Sequence, residues 1–127
     1  MKIQQRHEQE RLELFEELAL YKDTPVIVEG RRDAEALNAL GFARVLVINR
    51  GKSLYDFSLD AKTISGARTV LVLTDFDPEG ERIDKELEEY LRSVGCRTDK
   101  SARARLRILF HKNKLTTVQG LRNIILA

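Results

Sequence analysis

The sequence predicts an α/β domain: a parallel sheet with helices on both of its faces. Three observations predict it. Val26-Ile27-Val28, Val45-Leu46-Val47-Ile48 and Val70-Leu71-Val72-Leu73 are short runs without polar alternation, as expected of strands buried on both faces. Segments of helical period stand between and after them, so strand and helix alternate. Turn residues punctuate each repeat: Thr24-Pro25, Gly41, Asn49-Arg50-Gly51, Gly66 and Gly95.

Taken in order, residues 5–21 read as a helix, with Leu12, Phe15 and Ala19 on one face and Leu14, Leu18 and Tyr21 beside them. After the first strand, residues 32–40 are helical with Ala36, Leu37 and Leu40 inward, and Gly41 is placed as a C-cap. Residues 52–65 fit one short helix and a loop closing at Gly66. Residues 78–94 carry the clearest pattern, with Ile83, Leu87, Leu91 and Val94 recurring along one face before Gly95. Residues 101–111 fit a strand or a helix. Helix is favoured because Asp99 or Ser101 can cap it and because Ala and Arg are good helix formers. Thr116 and Gln119 have capping-box spacing ahead of Leu121, Ile124 and Ile125, which predicts a short final helix.

A chain of 127 residues suits one domain, and 43% hydrophobic residues suffice for a core. No apolar run approaches the ~20 residues of a membrane span. The polar start MKIQQRHEQE does not resemble a secretory signal peptide, and the lone Cys96 allows no internal disulfide. A cytosolic protein is expected. Charge is uneven. From Arg92 onward nine basic residues face the single acid Asp99, a balance of +8 that leaves −6 for the rest of a chain of net charge +2. A basic tail on an acidic body can neutralise phosphates at one end, or it can pack over the body.

The first strand ends in Glu29 and the third in Asp75-Phe76-Asp77. In a parallel sheet both ends lie on the carboxyl edge, where open α/β sheets bind ligands. If the two strands are neighbours, they stand ~4.8 Å apart and Glu29 and Asp75 can share one cation. Asp77 falls on the same side as Asp75 while the chain stays extended, and Phe76 on the other. Clustered carboxylates repel, and a divalent ion relieves the repulsion. Oxygen ligands without His or Cys suit magnesium, with manganese as the alternative. Taken singly, the acids have plainer readings: Asp77 as a helix cap before Pro78, and Glu29 as a surface partner of Arg31 or Arg32.

At these residues the sequence resembles a known family. Val28-Glu29-Gly30-Arg31-Arg32-Asp33 resembles the glutamate motif of Toprim domains. Thr74-Asp75-Phe76-Asp77-Pro78-Glu79-Gly80-Glu81 resembles their DxD motif, in the longer DxDxEGE form of type IA topoisomerases. The resemblance covers about residues 24–96. It implies a Rossmann-like sheet with a magnesium-dependent site, in a family found in primases, topoisomerases, a repair protein, the maturase of 5S ribosomal RNA and small stand-alone proteins. It also implies Glu29 as general acid or base, Asp75 and Asp77 as metal ligands, and Glu79 as a secondary ligand. The wording around Glu29 and the short length are closest to the maturase and the stand-alone proteins.

Departures narrow the field. Tyr21, Tyr55 and Tyr90 have no setting like that of a topoisomerase nucleophile, and one cysteine with two histidines cannot build the zinc module of a primase. Arg50-Gly51-Lys52-Ser53 looks like the end of a P-loop, but the glycine required five positions before Gly51 is Leu46. His7 and His111 are isolated and read as solvated. The expected organisation is an N-terminal helix over 1–23, a Toprim domain over 24–96 and a basic, helical C-terminal extension over 97–127. The expected function is nuclease-like processing of RNA or DNA, with Arg31, Arg32 and Lys52 holding phosphate. The alternative is a magnesium-dependent nucleic-acid or nucleotide-binding module without turnover. Nucleic acid is the expected partner, and the apolar face of the first helix is a candidate homodimer contact.

Overall fold

The computed structural model describes residues 2–125. Met1 and the last two residues of the expected extension lie outside them, as does the side chain of Ile125. Four parallel strands form one sheet: β1 (Val26–Val28), β2 (Val45–Val47), β3 (Thr69–Val72) and β4 (Arg97–Thr98), in the order β2-β1-β3-β4. The register pairs Ile27 with Leu46 on one side and with Val72 on the other. β1 and β3 are therefore neighbours, and strand order reverses between them.

Side-chain alternation along the strands divides the core. Val26, Val28, Leu71 and Leu73 face one layer, with α1 (Ile3–Ala19), α2 (Arg31–Ala39) and α5 (Lys100–Lys112). Ile27, Val70 and Val72 face the other, with α3 (Leu54–Ser65) and α4 (Pro78–Ser93). Continuous apolar strands were the condition for burial on both faces, and all three residues of β1 are fully buried. The residues 52–65 resolve into α3, capped by Ser53 Oγ on the Asp56 N–H and ended by Gly66 in the left-handed conformation at φ 62°. Asp99 caps α5 through the Ala102 N–H, 2.9 Å.

Three expectations shift. α1 turns the stripe Leu14, Leu18 and Tyr21 inward and leaves Leu12 and Ala19 exposed. Contacts with α5 and the turn after it fix this rotation: Arg105 reaches Glu17 and Tyr21, and Asn113 Nδ2 donates to the Glu10 carbonyl, 3.0 Å. The inward stripe is satisfied within the chain, so only the smaller outward one, with Leu12 and Leu20, remains for a second copy. Residues after 96 also join the main body. β4 extends the sheet beside β3, and α5 buries Ala102, Leu106 and Phe110. The division expected at residue 96 thus falls inside one packing unit. Finally, α6 (Leu121–Ile125) begins later than the Thr116 capping box predicts. The backbone around Thr116 has other partners, which belong to the site.

Candidate metal centre at the carboxyl edge

The site starts where the β1–β3 ladder stops. Leu71 N–H donates to the Pro25 carbonyl and Leu73 N–H to the Ile27 carbonyl, 2.9 and 2.8 Å. The next donor in that series is the Asp75 N–H. It goes instead to the Glu29 side chain, Oε2, at 2.7 Å. Glu29 therefore closes the ladder with its carboxylate, which brings it beside the Asp75 carboxyl. Asp75 uses Oδ1 to accept from the Val118 N–H, 3.1 Å, and Asp77 uses Oδ1 to accept from the Gly80 N–H at the start of α4, 2.7 Å. Each of the three acids thus engages one oxygen with a backbone donor. The other oxygen of each has no hydrogen-bond donor among the described residues.

Electrostatics mark this edge as short of positive charge. Burial pushes the Glu29 carboxyl above its usual range, and the charges of Asp75 and Asp77 push the same way. Burial also raises Asp75, helped by Asp33 and Asp77, against the lowering effect of the Val118 N–H. No lysine or arginine side chain pairs with either acid among the described residues.

Sequence reading missed Asp33. It is buried, and both its oxygens are used: Oδ2 accepts from the Gly30 N–H, 3.1 Å, and Oδ1 from the Gln119 N–H, 2.9 Å. Its place three residues after Gly30, at the start of α2, is the capping position that could have revealed it. Asp33 and Asp75 together clamp the turn before α6 through two consecutive N–H groups, while the Thr116 carbonyl accepts from the Phe76 N–H, 2.7 Å.

Arg103 was missed as well. β4 is only two residues long, so on that side of β3 the carbonyls beyond Val70 lack a strand partner. Arg103 Nη1, from α5, donates to the carbonyls of Val72 and Thr74, both at 3.0 Å, and Nη2 reaches that of Asp75 at 3.4 Å. The guanidinium stands in for the absent strand. Its side chain is 4% exposed, it pairs with Glu81 at 2.6 Å and Asp84 at 3.2 Å, and it lies over the Phe76 ring. Gly80 finishes the local geometry. Thr74 Oγ1 donates to its carbonyl, 2.7 Å, and a Cβ on Gly80 would drive into the Asp75 carbonyl group.

The other predicted residues are placed apart from the acid pair. Glu79 is exposed and bound to Arg82. Lys52 is engaged by Asp60 within the α3 region. Arg31 and Arg32 are exposed at the start of α2, directly after Glu29 and Gly30. Among the described residues, no three acidic, His or Cys groups are already gathered about a single point. The donor set still fits a hard ion, because magnesium takes one or two protein carboxylates and completes its shell with water and substrate oxygen. Glu29 and Asp75 supply that pair, with Asp77 next to them.

Fold and edge together define a Toprim protein. The chain belongs to that family: the Toprim domain model matches residues 24–112, so the match extends through α5. Within it, the chain belongs with the UPF0292 proteins. It is 37% identical over 102 residues to one from Thermococcus gammatolerans, covering 80% of this chain and 74% of that protein. It is 32% identical over 114 residues to one from Methanocaldococcus jannaschii, covering 89% and 83%. A solved structure, of a putative protein from Aquifex aeolicus, superposes with a TM-score of 0.66 at 26% identity, covering 84% of this chain and 94% of the other.

Proposed function

We propose that this chain is a magnesium-dependent Toprim protein that cleaves nucleic-acid phosphodiesters, in the manner of a nuclease acting on RNA or DNA. The observation that carries this reading is the meeting of Glu29 and Asp75 across the β1–β3 switch point, with both carboxyls raised by burial and mutual charge. Glu29, Asp75 and Asp77 would hold the ion, and manganese would serve in its place. The bound ion supplies charge neutralisation at a phosphate oxygen. Glu29 holds or releases a proton at Oε1, the oxygen not taken by the Asp75 N–H. Arg31 and Arg32 orient the substrate by its phosphates. Lys52 and Glu79 join only by releasing Asp60 and Arg82.

Purified protein incubated with labelled RNA and DNA, with and without magnesium or manganese, tests the reading. Turnover is expected with metal only. Glu29→Gln is expected to lower the rate by ~10²–10⁴, the usual worth of a positioned proton-transfer group, with substrate binding nearly unchanged. Metal-dependent binding without turnover in the wild type would replace the enzyme with the binding module.

A further inference from the structure

A hollow beside the acid edge has the chemistry of an anion site. It is lined by Arg32, Thr117, Gln119, Gly120, Arg122 and Asn123. Two guanidiniums, two amides and a hydroxyl make a lining rich in donors and free of carboxylate. Arg32 has no ion-pair or hydrogen-bond partner among the described residues, whereas Arg82, Arg103, Arg105 and Arg107 all face acids. Arg122 is tethered by Glu35 of α2, 3.3 Å, one helical turn beyond Arg31 and Arg32. That tether holds Arg122 against the helix that presents Arg32. Arg122 is 52% exposed and Arg32 is exposed as well, so both are accessible to a ligand.

The position of the hollow is set by the clamp. Val118 N–H is bonded to Asp75 and Gln119 N–H to Asp33, so the segment lining the hollow is one residue from the acid that would hold the ion. We infer that this hollow binds a backbone phosphate of a nucleic-acid strand, adjacent along the strand to the phosphate at Glu29 and Asp75. This rests on the proposed function and adds a substrate class to it: a strand with at least two successive phosphates, rather than a mononucleotide.

The test is the salt dependence of binding to short labelled single-stranded RNA and DNA oligonucleotides in magnesium. Each phosphate neutralised contributes ~0.7 to the slope of log affinity on log salt for single strands. Arg32→Met with Arg122→Met should therefore flatten the slope by about 0.7, the worth of the one phosphate the hollow holds, and the methionines keep the apolar stems. Glu35→Gln, which loosens the tether and leaves both cations, should keep the wild-type slope. A mononucleotide should compete poorly with the oligonucleotide. An unchanged slope in the double variant, while Asp75→Asn still removes the magnesium-dependent part of binding, overturns the hollow and leaves the acid site intact. An equal flattening by Glu35→Gln assigns Arg122 a packing role and also overturns it, as does full competition by a mononucleotide. A wild type that binds no oligonucleotide removes both the hollow and the function it rests on.

Discussion

The carboxylates on either side of the β3 end have opposite environments. Glu81, at the start of α4, faces Arg107 and Arg103 from α5; the Arg107 hydrogen bond first, then Arg103, holds its carboxyl down at about 2 against the effect of burial. Glu29 and Asp75, just across the same turn, have no arginine and are pushed up. The basic C-terminal stretch therefore neutralises acids of its own chain: Arg103 and Arg107 at Glu81, Arg105 at Glu17, and Lys100 at Glu88. It pairs with neither Glu29 nor Asp75 among the described residues. These two half-buried carboxylates fit the ion proposed for them, because no cation of the described residues already occupies the place.

The largest loss is expected at Arg103. Arg103→Met should destabilise the fold by about 3–5 kcal/mol, the range for breaking a buried charged network by removing one partner. It leaves Glu81 and the carbonyls of Val72 and Thr74 without their donor, and Asp84 without its ion-pair partner. Arg103→Lys should recover part of the loss, since it restores charge without the five-donor fork. Chemical denaturation measures both. A smaller effect is expected at Gly80→Ala. The added methyl meets backbone and not a yielding side chain, and overpacking of this kind is worth about 1–3 kcal/mol. The same denaturation curves should show it, with a weakened metal response, because the displaced atoms are those of Asp75.

The acid limb of the stability profile separates the two groups of carboxyls. A carboxyl depressed in the folded state contributes stability above its ordinary value of 4.5, and that contribution is lost as pH falls toward about 2. Glu81→Gln should flatten the fall of melting temperature across that window. Glu29 and Asp75 have the opposite sign: raised in the folded state, they favour folding at low pH and lose that contribution as pH rises through their folded values.

The parts of this site differ in how legible they were. β1 and β3 stood out as apolar runs, and the acids at their ends followed from the parallel arrangement. The condition that the two strands be neighbours is met in the fold. β4 was illegible because Arg97-Thr98 carries no apolar run, and its pairing depends on contacts distant in sequence. Asp33 and Arg103 act through partners 86 and about 30 residues away, which local pattern does not report. Arg103 still left a trace: with Leu106 and Phe110 it stands at i, i+3 and i+7, so an arginine occupied a buried face. The rotation of α1 was underdetermined by its own sequence, since two apolar stripes compete there. The turn at Thr116–Gln119 matched a cap by spacing, but its N–H groups serve carboxylates of other elements.

Glu29 and Asp75 are proposed to form a site short of one cation. Thermal unfolding of the wild type, Asp75→Asn and Glu81→Gln at neutral pH, over a series of magnesium and manganese concentrations, probes that site. Without divalent ions, Asp75→Asn should melt slightly above the wild type, because the amide removes a repelling charge and still accepts from the Val118 N–H. With ions, the wild type and Glu81→Gln should rise by mass action, about 2.7 kcal/mol at a hundredfold excess over the dissociation constant, and Asp75→Asn should not respond. An equal response in Asp75→Asn, or none in the wild type, would contradict the account.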